Sequence, residues 1–410
     1  MSTQFDVVVF GATSFVGQIL VKYLGNTFNN EGQESLNWAV AGRSQAKLDQ
    51  VKESSGQTHI PSMIADAGDE EAIKTMCAQA KVIISTVGPY ALYGETLVKV
   101  CAETGTDYCD LTGEVQWIDR MLNKYEASAK ASGARIVHCS GFDSIPSDMG
   151  VYFTQREAKN RLGDYCNKVA MRVKAAKGGA SGGTIASMIN ITQEATKDSS
   201  LRKKLMNPYL ICPANHGHTA RQFDTKKPTF DKNFKGWTAP FIMAAINTRI
   251  VFRSNALLGG LYGKDFQYDE AMLVGKGLKG RLTATAIVGG LGAFLVGAAL
   301  KPSRWLLENY ILPKPGEGPS PKQQIEGYYD IRFIGKTPSG KEIHTKVVGQ
   351  GDPGYGSTSK MLGQVGACLA LDTELLADKE GGFWTTSTLL GDRLIERLEQ
   401  DADLKFEVLS

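Results

Sequence analysis

Cysteine and histidine are sparse in this sequence, and neither is spaced for a metal site or a disulfide framework. The 410 residues include seven cysteines and five histidines. No two cysteines form a CxxC pair, and His216 and His218 have no further ligands at a suitable spacing. We therefore predict no bound metal, and we expect the reduced thiols of a cytoplasmic protein.

A large excess of charge of one sign is also missing. The net charge is +3 and the isoelectric point is about 8.3, and basic and aromatic residues are not interleaved, so we predict no nucleic-acid partner. The first predicted strand begins within a few residues of Met1. We expect no secretory signal peptide there.

One stretch has no charged residue at all. As a helix, the apolar range 282–300 would be about 28 Å long, close to the thickness of the hydrocarbon core of a bilayer. Basic residues flank it on both sides, namely Lys276, Lys279, Arg281, Lys301 and Arg304. Three interpretations remain open: a transmembrane helix, a segment lying on or dipping into a membrane, and a buried helix beside an apolar tunnel.

What the sequence does contain is a strand, a glycine turn and a helix at its start. The uninterrupted apolar run 7–10 is typical of a buried parallel strand, and the turn 11–17 leads into a helical pattern. Backbone N–H groups and the helix dipole would favour an anion there. The candidate cofactor-binding residues of this turn are Gly11, Thr13, Ser14, Phe15 and Gly17.

Two glycines of this turn have predicted backbone roles. Gly11 would permit the tight turn, and Gly17 would allow the helix to approach the strand closely. Ser14 replaces the usual middle glycine; its β-carbon limits the approach of the backbone to a pyrophosphate, although its hydroxyl could donate to that group. An ordinary strand–turn–helix with small residues is the alternative.

The end of the second predicted strand, 36–41, indicates which cofactor binds. NAD-binding sheets usually place an acid there for the ribose 2′-hydroxyl, but this chain has Arg43 followed by Ser44. An arginine would pair with a 2′-phosphate, so we predict NADP. The alternative is a solvated Arg43 with Ser44 as a plain helix N-cap.

Asp66 ends the third predicted strand. It would lie near the adenine, or it would cap the helix that begins around Asp69.

The fourth predicted strand, 81–87, leads to a candidate reaction site. Gly88 and Pro89 follow it and should face the nicotinamide, because ligands lie beyond the carboxyl ends of the strands in doubly wound sheets. Tyr90 and Tyr93 are candidate proton donors, although aromatic packing under the loop is an equally good interpretation of each.

Six strands alternating with helices predict an α/β fold, with a Rossmann-type doubly wound parallel sheet over residues 1–148. His138, in the sixth strand, fits the core better than catalysis, and Ser147 or Asp148 would cap the next helix. Residues 149–350, which contain 282–300, predict an α+β substrate domain with a mixed or antiparallel sheet. We expect 351–410 to be a helical segment that packs back on the first domain.

Two further features of the second half suggest ligands. The glycine-rich passage 177–184 could hold an anion, or it could be a plain connection. The range 200–253 is rich in basic residues. It would meet an acidic carrier protein, a phosphopantetheine arm or anionic lipid, or it would be a solvated face.

A family resemblance is carried by segments spread over the whole chain. In the first half they are FGATSFVGQ, WAVAGRS, STVGPYALYGE, GTDYCDLTGE and GFDSIPSDMG, and in the second half they are NTRIVFRSNAL, PKPGEGPSPKQ and GDPGYGSTSKM. With these, the chain resembles the saccharopine-dehydrogenase-like oxidoreductases, and more closely their trans-acting enoyl reductase branch. The family's phosphate loop corresponds to Gly11, Thr13, Ser14 and Gly17, its 2′-phosphate position to Arg43, and its nicotinamide-side loop to Gly88 and Pro89.

The resemblance implies NADPH-dependent reduction of a carbon–carbon double bond in an acyl or polyketide chain. The substrate would be a small molecule or a carrier-bound acyl group, delivered by a separate polyketide synthase or acyl carrier. A membrane surface reached through 282–300 and a second copy of the chain are further candidate partners. The alternatives are a saccharopine-type amino-acid dehydrogenase and a non-catalytic NADP-binding protein at membranes or lipid stores.

Overall fold

Two seven-stranded sheets organise the chain in a computed structural model that describes residues 3–29, 34–178, 182–306 and 318–410. The first part of the chain alternates strands and helices. Its strands are β1 (Phe5–Phe10), β2 (Trp38–Gly42), β3 (Ser62–Ile64), β4 (Ala80–Ser85), β5 (Asp107–Asp110) and β6 (Arg135–Val137). Its helices are α1 (Phe15–Phe28), α2 (Gln45–Ser55), α3 (Glu70–Cys77), α4 (Tyr90–Tyr93), α5 (Glu95–Thr104) and α6 (Val115–Ser132).

The middle of the chain supplies most of the second sheet. Its helices are α7 (Ile145–Leu162), α8 (Gly182–Lys197), α9 (Ser199–Leu205), α10 (Ala244–Leu257), α11 (Gly277–Ala299), α12 (Lys301–Leu306) and α13 (Pro321–Glu326). Its strands are β7 (Lys168–Lys177), β8 (Thr229–Asp231), β9 (Gly236–Pro240), β10 (Gln267–Leu273), β11 (Tyr328–Lys336) and β12 (Glu342–Gln350). Residues 313–317 of the PKPGEGPSPKQ segment lie outside the described residues, as do residues 179–181 of the glycine-rich passage.

The last part of the chain returns to both sheets. Its elements are α14 (Gly356–Leu371), α15 (Thr373–Leu376), β13 (Gly382–Trp384), α16 (Thr386–Asp401) and β14 (Leu404–Val408). The segment predicted to be helical at 351–410 contains three helices, and it also contains two short strands: β13 extends the first sheet and β14 extends the second. The limits proposed for the three domains stay a prediction.

The first sheet is parallel throughout, in the order β13-β6-β5-β4-β1-β2-β3. Strand β1 lies at its centre, where Val8 pairs with Ala39 of β2 and Ile83 of β4. Helices α1 and α14 pack together on the sheet, and α14 contacts β1, β4 and β5. This arrangement confirms the predicted Rossmann-type fold and brings the carboxyl ends of all the strands to one edge.

The second sheet is mixed, as predicted, in the order β14-β12-β11-β7-β10-β9-β8. Only β7 and β10 pair in parallel; the other neighbours are antiparallel. Helix α7, which follows β6, packs against β11, β12 and β14. It therefore links the core of the first sheet to that of the second.

Asp148 joins three helices instead of capping its own. Helix α7 begins at Ile145 with Ser144 at the N-cap position, so the prediction that Ser147 or Asp148 caps it is wrong. The buried Asp148 carboxylate accepts hydrogen bonds from the backbone N–H of Ser387, at the start of α16, and from the hydroxyls of Ser387, Thr386 and Ser254. It thereby ties α7 to α10 and to the N-terminus of α16.

Candidate cofactor and active site

The turn between β1 and α1 has room only for glycine at two positions. Gly11 has a φ of +89°, and a β-carbon there would lie 2.7 Å from Val87 Cγ2. A β-carbon on Gly17 would lie 2.3 Å from the carbonyl oxygen of Gly11. Gly11 therefore makes the turn and Gly17 brings α1 against it, which are the backbone roles predicted for them.

The Ser14 hydroxyl is occupied within the protein. It accepts a hydrogen bond from the Gly17 N–H at 2.9 Å and lies 2.9 Å from Thr86 Oγ1. The Thr86 hydroxyl in turn donates to the carbonyl oxygen of Gly11 at 2.9 Å, so Ser14 donates to Thr86. The prediction that this hydroxyl donates to a pyrophosphate does not match this geometry; Ser14 instead caps α1 and ties the turn to the end of β4.

The N-terminus of α1 remains suited to an anion. The first N–H groups of a helix have no partner within it, and here they belong to Phe15 and Val16. The Phe15 ring packs edge-on against Tyr355, with centroids 4.8 Å apart. Phe15 therefore offers a phosphate its backbone N–H, while Thr13 lies half-buried in the turn.

Arg43 and Ser44 lie at the end of β2, and their side chains make few interactions with the described residues. The Arg43 side chain is 79% exposed, and its Nε lies 3.8 Å from Asp66 Oδ2, a distance typical of a weak surface ion pair. Ser44 occupies the N-cap position of α2, but its side chain makes no capping hydrogen bond. Both side chains are therefore available to a phosphate beside the glycine turn.

Asp66 does not cap α3. The N-cap is Asp69, whose carboxylate accepts from the N–H groups of Glu71 and Ala72. The Asp66 carboxylate accepts from the Gly68 N–H at 2.8 Å and faces Arg43. Of the two interpretations of Asp66, the helix cap is wrong, and a place near the adenine stays a prediction.

Tyr90 is buried behind the loop that it was expected to serve. The loop contains a cis peptide bond between Gly88 and Pro89. The Tyr90 hydroxyl donates to the Ser85 carbonyl oxygen at 3.0 Å and accepts from the Leu111 N–H at 3.1 Å. Burial raises the pKa of Tyr90 well above its usual value. This placement argues against Tyr90 as a proton donor and favours the packing interpretation.

Tyr93 lies on the surface, with 52% of its area exposed. Its hydroxyl has no hydrogen-bond partner among the residues that the structure describes. Its assignment as a proton donor stays a prediction.

Glu114, after β5, holds the Gly88–Pro89 loop in place. Its buried carboxylate accepts from the N–H groups of Tyr90 and Ala91 at 2.8 and 3.1 Å, and from the Ser187 hydroxyl at 3.0 Å. Burial raises the pKa of Glu114, although these donors oppose the shift. Glu114 thus connects the end of β4 to α8 of the second half.

Helix α8 crosses the candidate site and is anchored at both ends. The Tyr355 hydroxyl accepts from the Gly182 N–H at 2.8 Å, and Arg120 pairs with Glu194 at 2.9 Å. Because Tyr355 packs on Phe15, α8 extends from the glycine turn to the start of α6. It therefore covers the edge where the strands of the first sheet end.

Asp143 is the functional candidate that the sequence did not single out. It lies half-buried in the loop after β6, and its Oδ2 is 3.5 Å from where a β-carbon on Gly113 would be. Its neighbours are fixed, since the Phe142 N–H donates to Thr358 and the Ser144 hydroxyl donates to Asn247. The Asp143 carboxyl itself has no hydrogen bond or ion pair with any described residue, and burial raises its pKa to about 7.

His138 belongs to the core, as predicted. Its ring is 5% exposed, its Nδ1 lies 2.7 Å from Asp110 Oδ2, and it packs on Trp117. Asp110 also accepts from the Tyr108 hydroxyl and two backbone N–H groups. This buried network stiffens the ends of β5 and β6 beneath the site.

Two arginines of the predicted basic patch are structural. Arg249 donates to the carbonyl oxygens of Ala245 and Leu205, and Arg253 donates to those of Ile211 and Phe383. Both side chains are buried, so neither can meet an acidic partner. No group of three potential metal ligands occurs within the described ranges.

Comparison with known proteins identifies the family. A model of the saccharopine dehydrogenase NADP-binding domain matches residues 7–137. A Mycobacterium tuberculosis protein named provisionally as a trans-acting enoyl reductase is 39% identical over 406 residues, which cover 96% of this chain and 95% of the relative. The chain belongs to the trans-acting enoyl reductase family.

A second relative of this enoyl reductase family supports the assignment over the whole length. The trans-acting enoyl reductase of Mycobacterium bovis is 34% identical over 409 residues, covering 96% of both chains. Among solved structures, the L-glutamate-forming saccharopine dehydrogenase of Saccharomyces cerevisiae covers 98% of this chain, and this chain covers 99% of it. Its TM-score of 0.53 at 13% identity shows a shared fold.

This member of the family is an NADP-dependent oxidoreductase, and its residues fit that cofactor. Backbone N–H groups at the start of α1 suit the pyrophosphate, and the close approach at Gly11 and Gly17 leaves no space for side chains there. Arg43 and Ser44 stand where NAD-binding sheets carry an acid. All of these groups, together with Gly88, Pro89 and Asp143, follow strands whose carboxyl ends share one edge.

Proposed function

We propose that the protein is an NADPH-dependent enoyl reductase that reduces the carbon–carbon double bond of an acyl, polyketide or lipid-like substrate. The observation that carries the proposal is Asp143, whose carboxyl group has no partner among the described residues and lies at the strand edge that also holds the cofactor turn. The names of the relatives support the reaction class.

The chain's own residues would hold the cofactor at three places along this edge. The backbone of the Gly11–Gly17 turn would bind the pyrophosphate, Arg43 with Ser44 would bind the 2′-phosphate, and the Gly88–Pro89 loop would border the nicotinamide. When bound there, NADPH would supply the hydride that the β-carbon of the substrate accepts. Glu114 fixes the position of the Gly88–Pro89 loop through the N–H groups of Tyr90 and Ala91.

Asp143 is the proposed proton donor. Reduction of an enoyl group needs a proton at the α-carbon, and a general acid works best when its pKa is near the working pH. With its pKa raised to about 7, the Asp143 carboxyl carries a proton in a useful fraction of molecules at neutral pH. The fixed backbone on either side of it holds the acid in place without using its oxygens.

The choice between an acyl substrate and an amino acid rests on the available arginines. A saccharopine-type substrate carries several carboxylates and needs convergent cations. Arg249 and Arg253 are committed to backbone carbonyls, and Arg120 is paired with Glu194. This favours an acyl substrate, which a separate polyketide synthase or an acyl carrier would deliver.

Oxidation of NADPH against a panel of substrates tests the proposal. The panel contains enoyl thioesters of graded chain length, the matching saturated thioesters and a set of 2-keto acids with an amine donor. We expect turnover with the enoyl thioesters alone. Turnover with the keto acids would favour the amino-acid dehydrogenase, and NADPH binding without turnover on any substrate would favour a non-catalytic protein.

A further inference from the structure

Helix α11 carries an apolar surface that the other described residues leave uncovered. Among the described residues, it is the one helix whose length and composition would allow it to cross a membrane. Little of this helix is buried: its large apolar side chains Leu278, Leu282, Leu295 and Val296 are exposed, and Val296 is 60% exposed. The interpretation of 282–300 as a buried helix beside a tunnel is therefore wrong.

One side of α11 is partly covered by the protein. The helix packs on β9 and α8. The less exposed residues recur every three or four positions, as expected for one stripe of a helix: Gly280, Ala284 and Ala298 are buried, and Ile287, Leu291 and Phe294 are half-buried. Between Gly280 and Ala298 this stripe is about 27 Å long. A helix that crossed the bilayer would carry polar parts of α8 and β9 into hydrocarbon, so this packing argues against a span.

The uncovered surface of α11 combines exposed apolar residues with basic ends. Leu282, Leu295 and Leu300 are exposed with Val296, and Trp305 of the following helix is 57% exposed. The range 271–306 contains no acidic residue. In the described part of the chain, no carboxylate pairs with the flanking basic residues Lys276, Lys279, Lys301 and Arg304.

We propose that the exposed face of α11 docks on the surface of an anionic phospholipid bilayer. Its apolar side chains enter the boundary between headgroups and acyl chains, Trp305 lies at the headgroup level, and the basic ends contact anionic headgroups. The α11 docking face is defined here as Leu282, Leu295, Val296, Leu300 and Trp305.

The charge pattern distinguishes a bilayer from other occupants. In a symmetric pair of chains, α11 packed on α11 in either direction would bring basic ends together, because both ends are basic. A soluble acidic carrier would match those ends but would leave the apolar middle without a partner. An anionic bilayer offers acyl chains to the apolar middle of α11 and anionic headgroups to its basic ends.

Docking through α11 would bring acyl chains close to the candidate site. Helix α8 contacts α11 on one side, and its Ser187 donates to Glu114, which holds the Gly88–Pro89 loop. Helix α8 therefore contacts both α11 and the residue that holds that loop. The binding proposal does not depend on the reductase assignment, because it is tested without turnover.

Vesicle flotation of the full-length protein tests this inference. The vesicles are phosphatidylcholine alone and phosphatidylcholine with phosphatidylglycerol. We expect flotation with the anionic vesicles and a loss of at least about tenfold in the Leu295→Glu/Val296→Glu variant, because buried acids are costly at this depth. Lys276→Glu/Lys279→Glu should weaken flotation with anionic vesicles specifically.

The matched control is Leu409→Glu, since Leu409 is 46% exposed and follows β14, at the sheet edge opposite to β8 and β9. It should float like the wild type, and all variants should keep their thermal midpoint and NADPH affinity. Failure of the wild type to float, or flotation of Leu295→Glu/Val296→Glu at the wild-type level, would overturn the proposal. The face would instead belong to a second copy of the chain under two conditions. The wild type would form a dimer without binding vesicles, and the double variant would be a monomer.

Discussion

At the scale of single residues, Arg43 distinguishes the two nicotinamide cofactors. Its guanidinium is well exposed, and its only ion pair within the described residues is the long contact with Asp66. To bind a phosphate, Arg43 would therefore lose only a weak ion pair. The same residue has no equivalent partner on NADH.

Arg43→Gln should weaken NADPH and leave NADH almost unchanged. Loss of a charge-assisted hydrogen bond of about 1.5–3 kcal/mol corresponds to a roughly 10- to 100-fold weaker NADPH affinity. Isothermal titration with both cofactors measures the effect. Arg161→Gln is the control, because Arg161 forms an exposed ion pair with Glu157 on α7. An equal loss for NADPH and NADH would contradict the role of Arg43.

Asp143 has a separate role, and its substitution should affect turnover and not cofactor binding. Asp143→Asn should lower kcat by about 10²- to 10⁴-fold, the usual contribution of general acid catalysis, while NADPH affinity stays constant. Steady-state kinetics and fluorescence titration of NADPH separate the two effects.

The pH profile gives a second test of the same residue. A donor must be protonated, so the rate should fall as the pH rises through about 7, the pKa of the Asp143 carboxyl. The Asn variant should lose this descending limb. A limb that persists in Asp143→Asn would assign the proton to another group, with Tyr93 as the next candidate.

At the scale of secondary-structure elements, a closely packed glycine in α1 can be compared with an open one in α11. Gly17→Ala places a methyl group against the Gly11 carbonyl and should cost about 1–3 kcal/mol of unfolding free energy, together with NADPH affinity. Gly289→Ala in α11 meets no atom within 4 Å and should stabilise by about 0.5–1 kcal/mol. Chemical denaturation measures both. Equal effects would show that Gly17 is not closely packed.

The junction of α7, α10 and α16 depends on one buried carboxylate. Asp148→Ala removes the acceptor of four hydrogen bonds and should cost roughly 3–5 kcal/mol of unfolding free energy. Asp392→Ala, which removes the exposed partner of Arg156, should cost at most about 1 kcal/mol. Urea denaturation compares the two, and similar losses would contradict the structural role of Asp148.

Local patterns predicted some elements well for a physical reason. Strand β1, the glycine turn and α1 follow one another without a gap, and each has its own signal: an apolar run, a glycine pair and a helical period. Strand β13 has three residues and no such signal, and it forms because β6 offers it an edge. Three features depend on residues far apart in the chain: the burial of Tyr90, the Ser14–Thr86 contact, and the lack of a partner for Asp143 among the described residues. No local pattern could reveal these three features.

At the scale of the whole molecule, the candidate site combines the first sheet with a helix from the second half of the chain. The first sheet gathers the cofactor turn, Arg43, the Gly88–Pro89 loop and Asp143 along one edge, and α8 from the second half covers that edge. The last sixty residues or so contribute a strand to each sheet, and the Asp148 junction joins the two cores. Helix α8 is anchored to both parts of the chain, because Ser187 donates to Glu114 in the first part and the Gly182 N–H donates to Tyr355 in the last.

The measurement that tests the central claim most directly follows the hydrogen atoms themselves. The protein is incubated with an enoyl thioester and NADPH carrying deuterium at the transferred position of the nicotinamide, and the product is analysed by mass spectrometry and NMR. We expect a saturated thioester with one deuterium at the β-carbon and a solvent proton at the α-carbon. An unreduced thioester after complete incubation, or deuterium found only in a reduced carbonyl or imine product, would contradict the assignment as an enoyl reductase.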